Sequence, residues 1–125
     1  MILRPLMIKQ IKSSEIKKYI DLNQNIVLLD VRTEEEWNSV GRPNSANLGI
    51  KTFFITISQD PNFVESVKKE IDKKNQILVM CAAGGRSIIA AQLLQNEGYI
   101  AHNISDGFNG NGQDPGWKNF GLPTK

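Results

Sequence analysis

Cysteine and histidine each occur once in the 125 residues, as Cys81 and His102. A single cysteine excludes an internal disulfide, and one residue of each type cannot complete a Cys/His zinc site, so no metal and no cofactor is expected. A lone free thiol fits a reducing compartment. No apolar run approaches the ~20 residues that span a bilayer. The opening stretch MILRPLMIKQIKSSEIKKYI has lysines scattered through it and no continuous apolar core of signal-peptide length. These absences predict a cytoplasmic protein with no membrane partner. Charge of one sign is scarce as well. Fifteen Lys and Arg against thirteen Asp and Glu leave +2, dispersed rather than striped, which argues against nucleic acid as a partner. Internal repeats are absent, and the one low-complexity stretch is GFNGNGQDPG at 107–116.

What is present has the balance of an ordinary globular chain, 40% hydrophobic and 22% charged, and its length predicts one domain over residues 1–125. LMIKQI at 6–11 alternates weakly like a strand. Ser13 or Ser14 then offers a cap for a helix through EIKKYIDL. IVLLDV at 26–31 is apolar up to Asp30, the pattern of a strand buried on both faces of a parallel sheet. Thr33 precedes EEEW, a helix start with acids near its positive end, and GRPNS turns the chain. ANLGIKTFFITI reads equally as strand or loop. PNFVESVKKEIDKK predicts a helix opened by Pro61, with Phe63, Val64, Val67 and Ile71 at helical spacing. ILVMC follows as a strand, RSIIAAQLLQNE as a helix ended by Gly98, and YIAHNI as a strand. Alternating strands and helices predict an α/β domain with a mainly parallel sheet.

Cys81 stands where a strand stops, a loop turns and a helix begins. Ligands of open α/β sheets bind outside the carboxyl ends of the strands, where both Cys81 and Asp30 fall. The loop Cys81-Ala82-Ala83-Gly84-Gly85-Arg86 leads into a helix whose free N–H groups and dipole would face the sulfur, and two glycines allow those groups to converge as an anion nest. Such a setting lowers a thiol's pKa and makes a nucleophile. The spacing fits equally a small buried hydrophobe at a tight strand-to-helix turn. Arg86 either holds an anionic substrate or clamps the loop through Asp30 or Glu36. A cation opening a helix needs a carboxylate partner, which favours the clamp, with Asp30 expected on the same rim. His102 is read as a solvated or edge residue away from this loop. Trp37, Trp117 and Phe120 are read as exposed partner contacts or, the commoner case, as buried aromatics capping the sheet.

VLLDVRTEEEW at 27–37, CAAGGRS at 81–87 and DGFNGNGQDPGWKNFGLP at 106–123, in that order, resemble the rhodanese-like sulfurtransferases. The resemblance implies a five-stranded parallel sheet with helices on both faces. It implies a sulfurtransferase that moves sulfane sulfur from a donor such as thiosulfate to a thiol or cyanide through a persulfide on Cys81. Ala82, Ala83, Gly84, Gly85 and Arg86 would form the cradle that binds the substrate sulfur, with Asp30, Arg32 and Glu36 supporting it. The partners implied are a small-molecule sulfur donor and a thiol acceptor, with a sulfur-relay protein as a further class. GRPNSA at 41–46 and Ala82 depart from the family's usual pattern, Ala82 by removing a basic residue after the cysteine. Two other readings compete. Tyrosine-phosphatase loops set cysteine and arginine around an anion but resemble C-x5-R, one residue longer than the spacing here. A non-catalytic rhodanese-like interaction or regulatory module is the other.

Overall fold

A computed structural model describes residues 8–57 and 62–125. Among the described residues, five strands form one sheet: β1 Gln10–Ile11, β2 Ile26–Asp30, β3 Lys51–Phe54, β4 Gln76–Met80 and β5 Ile100–Ile104. Their order is β1-β5-β4-β2-β3, and every pairing is parallel. Parallel neighbours require crossovers, supplied here by α1 Ile16–Leu22, α2 Glu34–Val40, α3 Phe63–Glu70 and α4 Gly85–Asn96, with α5 Gly116–Phe120 closing the chain.

The alternation of side chains along each strand divides the core in two. Val27, Leu29, Val31, Ile77, Val79 and Ala101 face Phe63 and Val67 of α3 and Ala90, Ala91 and Leu94 of α4. Ile26, Leu28, Leu78, Met80 and Ile104 face Ile16 of α1, Trp117 of α5 and Phe108. Helices therefore cover both faces, which is why β2 and β4 read as near-continuous apolar runs. Cys81 continues the odd-numbered face into the α3/α4 layer, whereas Asp30 continues the even-numbered one.

Several expectations change in detail. The strand predicted over 6–11 is Gln10–Ile11 among the described residues, and Leu6 and Met7 lie outside them, as does Pro61. Ser13 is not a helix cap: it lies in a 3-10 turn, Ser13–Glu15, whose N-cap is Lys12, and its hydroxyl donates to the buried Asp106 at 2.9 Å. The segment read as strand or loop contains a 3-10 turn, Ser45–Leu48, and then β3. α5 was not foreseen; it buries Trp117 completely and leaves Phe120 46% exposed, so Phe120 does not cap the sheet. His102 is neither solvated nor on an edge. It lies buried on β5, between β1 and β4, with Nδ1 accepting the Lys9 N–H at 3.0 Å and its ring edge-on to Tyr19. Burial pushes its pKa down, and the charge of Lys9 adds to the effect.

Candidate active site

Asp30 and Met80 are in register on adjacent strands, so the loops after β2 and β4 share one rim of the sheet. Cys81, one residue past β4, is 1% exposed. Its Sγ accepts the N–H of Gly84 at 3.2 Å and of Ser87 at 3.4 Å, and the Ser87 hydroxyl lies 3.2 Å away. Burial pushes the thiol pKa up. Hydrogen bonds from the Ser87 hydroxyl and from the N–H groups of Ser87, Gly84 and Ala83 outweigh it, so the net shift is downward. Ser87 stands third in α4, after the cap residue Gly84, where a helix leaves its N–H without an internal partner.

The loop holds this shape because a second loop grips its outer side. Phe108 and Asn109 donate their N–H groups to the carbonyls of Cys81 and Ala82 at 2.8 and 2.9 Å. With those carbonyls turned away, the amides that follow turn toward the sulfur. Gly84 takes φ +102°, and a Cβ there would stand 2.3 Å from the Ser105 carbonyl oxygen. Gly107 is equally constrained, at φ +58° with a Cβ position 2.4 Å from the Ala82 oxygen. Gly85 has open space around it and already belongs to the helix. Only one of the two glycines in the expected nest is therefore required by the backbone.

Arg86 is clamped through Glu36, not Asp30. Its Nη1 and Nη2 donate to Glu36 Oε1 and Oε2 at 2.7 and 2.8 Å, a bidentate pair. Glu36 is aimed there by a capping box: Thr33 Oγ1 accepts the Glu36 N–H, while Glu36 Oε1 accepts the Thr33 N–H. The Arg86 hydrogen bonds lower the Glu36 pKa to about 2 against a smaller opposing effect of burial, and Thr33 assists.

Asp30 and Arg32 instead pair with each other, both at 0% exposure. Arg32 Nη2 donates to Asp30 Oδ2 at 2.8 Å and to the Gly41 carbonyl at 2.9 Å, and the guanidinium stacks 4.1 Å from the centre of the Phe108 ring. Phe108 belongs to the face opposite Cys81. Of the predicted site residues, then, Ala83 and Gly84 turn their N–H groups to the Cys81 sulfur, and the Arg86–Glu36 pair ties the start of α4 to α2. Ala82 serves through its carbonyl, Gly85 opens the helix, and Asp30 and Arg32 brace the rim from the other side. Sequence reasoning missed Ser87 and Asn103. Asn103 is 1% exposed on β5 and places Oδ1 against the Ser87 hydroxyl. Their signals were a hydroxyl inside the first helical turn and an amide next to the histidine in a buried strand.

Comparison with known proteins agrees with this geometry. The family model of the rhodanese-like domain matches residues 13–112. The chain is 40% identical over 121 residues to the uncharacterized protein RP600 of Rickettsia prowazekii, covering 94% of this chain and 98% of that one. It is 32% identical over 99 residues to thiosulfate sulfurtransferase 16, chloroplastic, of Arabidopsis thaliana, covering 78% of each. The crystal structure of Rv0390 from M. tuberculosis superimposes with a TM-score of 0.81 at 29% identity, covering 93% of this chain and 96% of that one. A five-stranded parallel sheet with a hydrogen-bonded cysteine at a strand-to-helix loop, matched by that family model over residues 13–112, places this chain in the rhodanese-like family.

Proposed function

We propose that the chain is a sulfurtransferase in which Cys81 carries sulfane sulfur as a persulfide. The observation that carries this reading is the convergence of the Gly84 and Ser87 N–H groups and the Ser87 hydroxyl on Sγ at the start of α4. These donors favour a thiolate over a thiol, and the thiolate is the attacking form. With a donor such as thiosulfate, the Cys81 thiolate attacks the outer sulfur. A new S–S bond forms, the donor's own S–S bond breaks, and sulfite leaves with its electron pair. A thiolate or cyanide acceptor then attacks the terminal sulfur, taking it as a persulfide or as thiocyanate and returning the Cys81 thiolate. No oxidant or reductant enters the cycle. The charge now sits on the outer sulfur, and the N–H groups of Gly85 and Arg86, which open α4 without a partner inside it, would serve as further donors for it. No separate base is needed, which suits a chain whose only histidine lies on the opposite face of the sheet.

The test is mass spectrometry of the purified chain after exposure to thiosulfate or to a small organic persulfide. The expected result is a gain of one sulfur atom, removable by a thiol, in the native chain and none in Cys81→Ser. Sulfur transfer persisting in that variant above a trace, or no gain by the native chain from either donor, overturns the reading.

A further inference from the structure

The proton count around Ser87 does not close when Cys81 is ionised. Asn103 Nδ2 donates to Gln10 Oε1 at 2.8 Å and to the Gly84 carbonyl at 3.1 Å. A backbone carbonyl can only accept, so the Gly84 contact fixes the amide's orientation and leaves Oδ1, another acceptor, facing Ser87. The Ser87 hydroxyl has one proton and two acceptors within reach, Asn103 Oδ1 and Cys81 Sγ. With a thiol, the chain S–H to Oγ, O–H to Oδ1 satisfies every group. With a thiolate, the single proton goes to the sulfur and abandons a buried amide oxygen, or stays on the amide and turns an oxygen lone pair toward the negative sulfur. Either choice leaves one contact repulsive among three buried side chains, Cys81 and Asn103 at 1% and Ser87 at 0% exposure.

We propose that Asn103 is a positioning residue that competes with the Cys81 sulfur for the single proton of Ser87. Its effect opposes the N–H donors of the loop and restrains ionisation of the thiol. The same residue favours the loaded site, an extension that rests on the sulfurtransferase reading. In a persulfide the charge resides on the outer sulfur, Sγ is neutral, and Ser87 keeps its proton on Asn103 without penalty. The amide thus selects against bare thiolate and for the sulfur-bearing form. Other charged groups around the sulfur are accounted for. Arg86 is paired with Glu36 from α2, Asp30 with Arg32 on the far side of the sheet, and Asp106 accepts from Ser13 and Gly116. α3 contributes Phe63 and Val67 to this layer, and His102 faces the opposite one. Among the described residues, the Ser87–Asn103 pair is therefore where a neutral substitution shifts the balance.

The test is an ultraviolet titration of thiolate absorbance, which reports on Cys81 alone because the chain has no other cysteine. Native chain, Ser87→Ala, Asn103→Ala and the double variant are compared. Asn103→Ala frees the serine proton for the sulfur, so its midpoint falls by about half a pH unit, a roughly threefold gain in thiolate at pH values below the midpoint. Ser87→Ala raises the midpoint, and in that background Asn103→Ala lowers nothing. Asn103→Leu, which fills the same volume without either polar atom, serves if the alanine variant does not fold. A residue that merely anchors the Gly84 carbonyl would loosen the donor loop when removed and push the midpoint up. A midpoint unchanged or raised in Asn103→Ala, or a fall that persists without the Ser87 hydroxyl, overturns the proposal. The titration uses no sulfur donor, so its outcome is independent of the mass measurement.

Discussion

At Gly84 the backbone itself sets the requirement. A side chain there would need the left-handed region and would meet a carbonyl oxygen at 2.3 Å, with backbone rather than a flexible side chain on the other side. Gly84→Ala is therefore expected to lose about 1–3 kcal/mol of stability and, with the N–H donors displaced, most reactivity of Cys81. Gly85→Ala is expected to be neutral or up to about 1 kcal/mol stabilising, because alanine costs less than glycine in a helix. Denaturant titration and alkylation rates of the two variants check this, and equal losses at both positions would mean the nest uses both glycines. The sequence displayed the pair of glycines but not which of them bends, because that depends on Ser105, twenty-one residues on and in contact only through the sheet. The register between β2 and β4 was not legible either. Asp30 and Met80 are paired, and Cys81 follows Met80, so Asp30 and Cys81 point to opposite faces. Asp30 is taken by Arg32, which leaves Arg86 to Glu36.

At the level of elements, two ion pairs near one rim do different work. Asp30–Arg32 is fully buried and ties β2 to the turn at Gly41 and to the Phe108 loop. Asp30→Asn leaves the guanidinium in a dry site without its counter-charge, an expected loss of about 3–5 kcal/mol in stability. Arg86–Glu36 is partly exposed, with side chains 41% and 25% accessible, and joins the start of α4 to the start of α2. Its removal should cost less stability than loss of the buried pair, because both charges keep some water. Arg86→Lys keeps the charge but loses the planar fork, so transfer should fall for every sulfur donor alike. Glu36→Gln should mimic it, and the two together should cost less than their sum. Strict additivity, or a rise in the Michaelis constant confined to anionic donors, would make Arg86 a substrate contact. The clamp was legible from the helix dipole. Its partner was not, because the aim of Glu36 depends on the capping box at Thr33 and on how α2 leaves the sheet.

For the whole molecule, strand and helix order came through from the sequence because β2 and β4 are apolar on both faces and α4 carries a full helical pattern. The short pieces did not, since two residues of β1 and five of α5 draw their stability from what they pack on. The buried state of His102 belongs to this scale too, because it depends on β1 covering β5. Its pKa is depressed below the ordinary 6.5, so as pH falls the unfolded chain takes up a proton that the folded chain resists. Stability from the neutral ring is present above 6.5 and is lost as pH falls toward the lower folded value. The slope from this one group is at most about 1.4 kcal/mol per pH unit. Glu36 acts in the same direction further down: its folded pKa of about 2 lies below its ordinary 4.5, so its contribution is present above 4.5 and lost between those values. Urea midpoints of the native chain should therefore fall with acid in two stages. His102→Asn, which keeps an acceptor for the Lys9 N–H, should flatten the stage between 6.5 and the carboxylate range and leave the lower one intact. Parallel curves for the two proteins across that upper stage would show that the histidine titrates alike in the folded and unfolded chains.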